Sequence, residues 1–308
     1  VSNQSEQQRV AVTGASGLLG RALVPLLGQQ GYQVIAGVHS TAVHVSDHVT
    51  TVSLDLLNAD SIREFVRAAA ADWLIHAAAL TDVDGCEKEP SFAEAIHATA
   101  TEHLMAAVGA SSTRVLYIST DYIFDGFDGP YDEDATPAPI SVYGRTKLAG
   151  ERAVQAAGDQ HTIIRAGSFL GVGSPQRPTF AESMLRRMRD EPPLVVPIDQ
   201  RASVTPVDYL AAAIIEIGAS GHNGIWHVPG TEIVSRYELA SKIAQLFGLD
   251  AGVVRGVPYE EIKRPAARPL NGGLITRRTL TARPPTLDSA LAQWKQVLLA
   301  HQDKTSAG

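Results

Sequence analysis

Arg9-Val10-Ala11-Val12-Thr13 runs straight into Gly14-Ala15-Ser16-Gly17-Leu18-Leu19-Gly20, and a helical pattern follows to Gln30. A short apolar strand, a glycine-rich turn and a helix form the layout that lets backbone approach a pyrophosphate. The helix amides and the positive end of its dipole then face the phosphates. The layout also constrains the fold, because a buried strand feeding directly into a helix finds its next partner through a parallel crossover. Gly14, Ser16, Gly17, Leu18, Leu19 and Gly20 are therefore the first candidate dinucleotide-binding residues. Their spacing is G-x-x-G-x-x-G rather than G-x-G-x-x-G.

The pattern continues in the same alternation. Strands are predicted over 9–13, 33–38, 52–54, 73–76, 114–119 and 162–165. Helices are predicted over 21–30, 61–71, 92–108 and 141–157. Strands alternating with helices imply an α/β fold with a doubly wound parallel sheet of the Rossmann type, assigned to 9–165. Beyond 166 the pattern loosens into a Gly/Pro-rich loop at 171–179 and helices over 180–189, within 204–217 and over 235–247, with Ser235 as N-cap. A strand over 225–228 and a helical tail from 284 complete it. This part, 166–300, reads as a smaller mixed α/β substrate-binding lobe with some segments returning to the first domain. Leu287, Leu291, Trp294 and Leu298 recur at helical spacing and read as a packing stripe.

Several functions are disfavoured at this stage. At 308 residues the chain can bury a sizeable core, and no apolar run approaches the ~18 residues of a membrane span. A net charge of −7 argues against nucleic acid as a partner. Cys86 is the only cysteine, so no intrachain disulfide forms and a reducing, cytoplasmic setting fits. Residues 1–8 are polar and read as a short disordered tail without a signal-peptide pattern. His76, His97, His103 and His227 lack zinc-ligand spacing and read as structural. Between 255 and 283 there are seven basic residues (Arg255, Lys263, Arg264, Arg268, Arg277, Arg278, Arg283) and two acids (Glu260, Glu261). Such a stretch is either a solvated face or a docking site for an anionic substrate.

An acid ~20 residues beyond the glycines would hold the adenosine ribose and favour NAD. Here the second strand ends Gly37-Val38-His39-Ser40. His39 and Ser40, with Thr41, can instead donate hydrogen bonds to a 2′-phosphate, which points to NADPH, with NADH as the second choice. Arg21 is either a helper in that contact or a plain surface arginine. Asp55 and Leu56 follow the third strand and can meet the adenine edge. Ala77, Ala78 and Ala79 follow the fourth, where small side chains let the chain pass close to the dinucleotide. Tyr143 and Lys147 stand four apart in a predicted helix and share a face. A cation beside a phenol favours the phenolate, which tunes the tyrosine as a proton donor to a carbonyl.

The segments TGASGLLG, HAAALTDVDGCE, ISTDYIFDG, YGRTKLAGE and ARPLN, in this order, resemble the extended short-chain dehydrogenase/reductases, and within them the dTDP-4-dehydrorhamnose reductase group. The resemblance runs from about 9 to about 299. It implies a sugar-nucleotide reductase with a triad of Thr120, Tyr143 and Lys147, Tyr143 giving the proton and Lys147 also holding the nicotinamide ribose. Ser119 is the alternative to Thr120. It further implies that Ala166, Ser168 and Phe169 line the nicotinamide, and that Val83, Asp121, Tyr122, Phe124, Gln200, Arg201 and Arg268 face the substrate. Relatives pair as dimers, which makes the helices over 92–108 and 141–157 candidates for a homodimer contact.

There are departures. Where relatives carry Asn-Ser-x-Leu-Asp, this chain reads Asn271-Gly272-Gly273-Leu274-Ile275. That leaves open another 4-keto sugar nucleotide or a different ketone. Some relatives use magnesium at a dimer contact, but no ligand set is assigned here. The acidic loop of Asp125, Asp128, Asp132, Glu133 and Asp134 reads as a solvated turn. Two further alternatives stand beside the reductase. One is an epimerase or dehydratase; the missing acid after the second strand, and Tyr122 where a dehydratase wants glutamate, speak against it. The other is a non-catalytic dinucleotide-binding subunit resembling the regulatory subunit of methionine adenosyltransferase.

Overall fold

The structure is a computed structural model that describes residues 7–43, 45–109, 111–174 and 177–306. Of the polar start, only Gln7 and Gln8 fall within these, and both are tied down. The Gln8 carbonyl accepts the Gln33 amide at 3.0 Å, and Gln33 Nε2 donates to Gln7 Oε1 at 2.9 Å.

Seven parallel strands form the main sheet: β1 (Arg9–Thr13), β2 (Gln33–Val38), β3 (Val49–Ser53), β4 (Trp73–His76), β5 (Arg114–Thr120), β6 (Thr162–Ala166) and a late-coming β10 (Gly224–His227). Their order across the sheet is β10-β6-β5-β4-β1-β2-β3. The direction of winding reverses between β1 and β4, where Val10 pairs with Val34 on one side and Trp73 on the other. In such sheets ligands bind beyond the carboxyl ends of the strands at this switch point. Three short strands, β7 (Ser168–Leu170), β9 (Arg201–Pro206) and β11 (Ile233–Ser235), make a second sheet, and β8 (Leu194–Pro197) pairs with β12 (Val254–Val257).

Apolar helix faces cover both sides of the main sheet. On one side Leu19, Leu23 and Leu27 of the first helix pack with Leu210, Ile214 and Ile217 from the helix Val207–Ala219. On the other, Ile62, Phe65, Leu104 and Val108 close over Ala11, Leu74 and Val115. Leu287, Leu291, Trp294 and Leu298 all enter a third cluster with Leu185, Leu239 and Ile243. Full burial of such side chains contributes roughly 1.5–3 kcal/mol each before ordering entropy is subtracted.

Several elements differ from the sequence reading. The first helix starts at Leu18 rather than 21, because Gly17 already serves as its extended N-cap. β3 is longer than predicted. It is an edge strand, so Thr50, Thr51 and Ser53 are exposed and its polar half hides the pattern. The helix predicted over 92–108 begins at Pro90 and carries a π-helical turn at Ala95–Thr99. A short helix, Val83–Lys88, precedes it, capped by the Asp82 carboxylate on the Gly85 amide. Strands β7, β8, β9, β11 and β12 were not predicted. They are three to six residues long, too short for a period of two to stand out from loop.

Candidate active site

Two turns of backbone almost touch at the switch point. Gly14 has φ +69°, in the left-handed region. A Cβ there would lie 2.8 Å from the Ala78 backbone, so only glycine lets the turn after β1 meet the turn after β4. Behind it, the Ala78 amide donates to Thr13 Oγ1 at 3.2 Å. Gly17 supplies no side-chain cap to the first helix, and Ser16, Leu18 and Leu19 border its start. These features make a cradle for an anionic group at a helix N-terminus. His39 and Ser40 are exposed just past β2. Asp55 Oδ1 accepts the Leu57 amide at 2.9 Å, holding the turn after β3 beside Leu56. Arg21 reaches away from β2: its Nη2 donates to the Val172 carbonyl at 2.7 Å.

Thr120 ends β5, one strand over from β4. Ser141 caps the helix Val142–Ala156 through the Gly144 amide, which sets the first turn that carries Tyr143 and the next that carries Lys147. Thr120 Oγ1 accepts the Tyr122 amide at 3.2 Å and donates to Asp121 Oδ1 at 3.1 Å. Burial holds the Tyr143 phenol well above its ordinary range, while the Thr120 side chain pulls the other way. The Ser119 hydroxyl, by contrast, is buried without a partner among the described residues. Tyr122 lies edge-on to Tyr143 at 5.5 Å between centroids, and Leu80, Val83, Cys86 and Val142 complete an apolar wall around the pair. The Cys86 thiol, pushed up to about 11 by burial, donates weakly to the Leu80 carbonyl and is inert.

Lys147 does not dominate the Tyr143 phenol as expected, since burial raises that pKa. Its Nζ donates to the Ile118 carbonyl at 2.8 Å and lies 4.0 Å from the centre of the Tyr117 ring. Burial lowers its pKa to about 7, against which Glu151, four residues on, raises it. Burial and the Thr120 side chain are the leading influences on the phenol's pKa. Glu151 is itself held by Arg165 through two hydrogen bonds of 2.7 and 3.0 Å, both residues almost fully buried.

Asp121 is 2% exposed, and burial raises its carboxyl to about 7. Arg236 and the Thr120 hydrogen bond moderate the rise. Arg236 was not among the predicted residues. It stands at the first position of the helix Arg236–Leu246 and donates to Ser168 Oγ at 3.0 Å, with its guanidinium 5.2 Å from the Phe180 ring. A cation at the positive end of a helix dipole is disfavoured, and that mismatch is the one signal that could have singled it out.

The remaining substrate-facing candidates divide. Arg268, 8% exposed, pairs with Asp84 at 2.6 Å beside Tyr122 and Arg264. Gln200 is buried, and its Oε1 has no partner among the described residues. Ala166 is buried at the end of β6, with Ser168 and Phe169 half-buried beyond it. Phe124 is not part of the group: its fully buried ring stacks on Tyr131 at 4.2 Å and meets Arg165. Arg201 is turned outward, bonded to the Ile233 carbonyl and paired with Glu238 at 3.3 Å. The basic stretch splits as well, since Arg277 pairs with Asp132 and Asp134 and Arg278 covers Trp226. Glu133 corrects the reading of a solvated acidic turn. It is buried and binds Thr276 and the Arg277 and His227 amides.

An anion cradle thus adjoins a hydroxyl, a protonated phenol and a buried amine at one edge of a parallel sheet. Such a set can polarise and protonate a carbonyl oxygen.

Comparison with known proteins agrees with this chemistry. Residues 8–303 match the family model described as RmlD substrate binding domain. The chain is 34% identical over 293 residues to the probable low-salt glycan biosynthesis reductase Agl14 of Haloferax volcanii, covering 91% of this chain and 95% of that protein. It is 32% identical to the dTDP-4-dehydrorhamnose reductase of Mycolicibacterium smegmatis, covering 97% and 86%. The crystal structure of dTDP-4-dehydrorhamnose reductase from Bacillus anthracis in complex with NADP superposes with a TM-score of 0.83 at 28% identity, covering 94% of this chain and 99% of that one.

Proposed function

The chain belongs to the RmlD substrate binding domain family, and we propose that it reduces a 4-keto-deoxysugar nucleotide with NADPH. It is an NAD(P)H-dependent oxidoreductase of the extended short-chain type. The observation that carries the finer reading is the buried Tyr143 phenol within reach of Thr120 and Asp121, at the strand ends that flank the Gly14 cradle.

Gly14, Gly17 and Gly20, with the amides of Leu18 and Leu19, hold the pyrophosphate. His39 and Ser40 take the 2′-phosphate, consistent with the missing acid after β2. Ala77 to Ala79 pass under the dinucleotide, and Ser168 and Phe169 flank its nicotinamide, which supplies hydride when bound. Tyr143 gives its proton to the carbonyl oxygen; the raised pKa of the phenol keeps that proton in place at neutral pH. Thr120 orients the same oxygen. Lys147 holds the ribose, and its positive charge favours the phenolate left behind. Val83, Asp121 and Tyr122 form the sugar pocket, and Arg236, Arg264 and Arg268 provide the cationic side that a diphosphate requires. The lobe built from β7 to β9, β11 and β12 supplies this substrate side. Relatives' pairing suggests a homodimer through the helices that include Ala100–Val108 and Val142–Ala156.

The test is NADPH oxidation with dTDP-4-keto-6-deoxy-L-mannose. Turnover should fall about a hundredfold to ten-thousandfold in Tyr143→Phe. Full turnover by that variant would rule out Tyr143 as the proton donor.

A further inference from the structure

The π-helical turn at Ala95–Thr99 places a histidine where a regular helix would not. One extra residue in a turn shifts side-chain direction, and such turns cluster at functional sites. His97 is 1% exposed and lies edge-on to Tyr143, 5.6 Å between ring centroids. Its two nitrogens have different partners. The Leu80 amide, which can only donate, meets Nε2 at 3.0 Å. Nδ1 lies 2.8 Å from Thr146 Oγ1. Thr146 Oγ1 in turn reaches the carbonyls of Val142 and Tyr143 at 3.0 and 3.1 Å, which can only accept.

These constraints leave one assignment of protons. Nε2 accepts from Leu80, Nδ1–H donates to Thr146, and the Thr146 hydroxyl donates to the first turn of the Tyr143 helix. The imidazole must be neutral for this, and burial together with the Lys147 charge holds its pKa near 3. A second chain ends on the same residue. The Ala78 amide donates to Thr13 Oγ1, and Thr13 lies 2.7 Å from His76 Nδ1. His76 Nε2 lies 3.3 Å from Thr101 Oγ1, which donates to the His97 carbonyl at 2.6 Å. That carbonyl can only accept, so His76 Nε2–H donates to Thr101 and Nδ1 accepts from Thr13. His76 is likewise kept neutral, with its pKa near 3.

We propose that His97 is a positioning residue that ties the backbone after β4, at Ala78 and Leu80, to the turn of helix bearing Tyr143. The inference rests on the reductase reading for the role of Tyr143. One chain starts at the Ala78 amide against Gly14 and ends at the His97 carbonyl; the other starts at the Leu80 amide, two residues on, and ends at the carbonyls that set the tyrosine's orientation. Dinucleotide contact and phenol geometry are thereby coupled through buried, directional hydrogen bonds without a charge. The other groups facing this network are Tyr117 on β5, beside His76, and Lys147 and Tyr143 on the helix. None of them supplies His97 with a counter-charge that would favour an imidazolium.

The experiment compares His97→Phe, which keeps a ring against Tyr143 but neither hydrogen bond, with His97→Gln, which keeps one acceptor and one donor. Thr146→Val is the second probe. Folding is checked by melting temperature, NADPH affinity by calorimetry and turnover with the ketone. In His97→Phe we expect kcat to fall at least tenfold with the ketone KM within twofold, and the NADPH Kd to rise at least fivefold. His97→Gln should recover most of both, and Thr146→Val should lower kcat with little further loss when combined with His97→Phe. A folded His97→Phe protein with unchanged kcat and NADPH Kd would overturn the proposal, as would full additivity of the two substitutions. If His97→Phe does not fold, Thr146→Val alone decides by the same kcat criterion. Absence of turnover in the unsubstituted protein would count against the reductase reading, and the NADPH Kd series would still decide the coupling.

Discussion

Asp121 presents a carboxyl whose burial has a measurable consequence. It is 2% exposed, and among the described groups its side chain donates nothing and accepts from the Thr120 hydroxyl at 3.1 Å. Burial lifts its pKa from 3.8 to about 7, against the smaller pulls of Thr120 and Arg236. The folded value lies above the unfolded one, so between these two pH values the folded protein holds more protons than the unfolded chain. The contribution of this group is therefore fully present below about pH 4 and is lost as pH rises through 7. A rise of this size is worth about 4 kcal/mol, an upper figure. Asp121→Asn keeps the shape and the acceptor for Thr120 but has no proton to lose. Its stability relative to the unsubstituted protein should grow by about 4 kcal/mol from pH ~4 to pH ~8, or roughly 8 °C in melting temperature at ~2 °C per kcal/mol. Thermal unfolding followed by circular dichroism across that range reads the difference directly. Parallel curves of melting temperature against pH for the two proteins would refute the reasoning, since they would mean that Asp121 ionises inside the fold at its ordinary pKa.

Three other perturbations follow from the same geometry. Gly14→Ala forces a Cβ to 2.8 Å from the Ala78 backbone at φ +69°, so NADPH binding by calorimetry should be lost, with a fall in stability of about 1–3 kcal/mol. Glu151→Gln leaves Arg165 buried beside Phe124 without its carboxylate; denaturant titration should show a loss of about 3–5 kcal/mol, and Lys147 should titrate below its present value of about 7 because Glu151 raises it. Arg236→Leu removes a cation that lowers the Asp121 pKa; the pH at which the Asp121→Asn stability difference develops should move upward in that background, and no movement would show that Arg236 does not reach the carboxyl.

What the sequence alone made legible was local. The strand–glycine–helix start, the apolar strands of the main sheet and the N-cap at Ser235 are short-range patterns, and each lies within a residue or two of its predicted place except the edge strand β3 and the start of the first helix. Tyr143 and Lys147 could be paired for the same reason, since one helix face is a periodic feature, whereas Thr120 was singled out by the resemblance of its STDY segment. The tertiary structure decided everything that depends on partners distant in the chain. Phe124 stands two residues from Tyr122, yet one packs into the interior on Tyr131 and the other faces Tyr143. Arg268 and Arg201 looked alike as cations, but Asp84 draws one beside Tyr122, and Glu238 draws the other outward. Asp84 and His97 have no local signature of a site, Arg236 has only the mismatch with its helix dipole, and all three meet Tyr122 or Tyr143, Asp84 through Arg268, only because separate crossovers deliver them to the same sheet edge. Even the order of forces on Tyr143 reversed. Helical spacing puts Lys147 one turn away, but desolvation acts on the whole buried cluster, and its size depends on what covers the residue, which no pattern along the chain records.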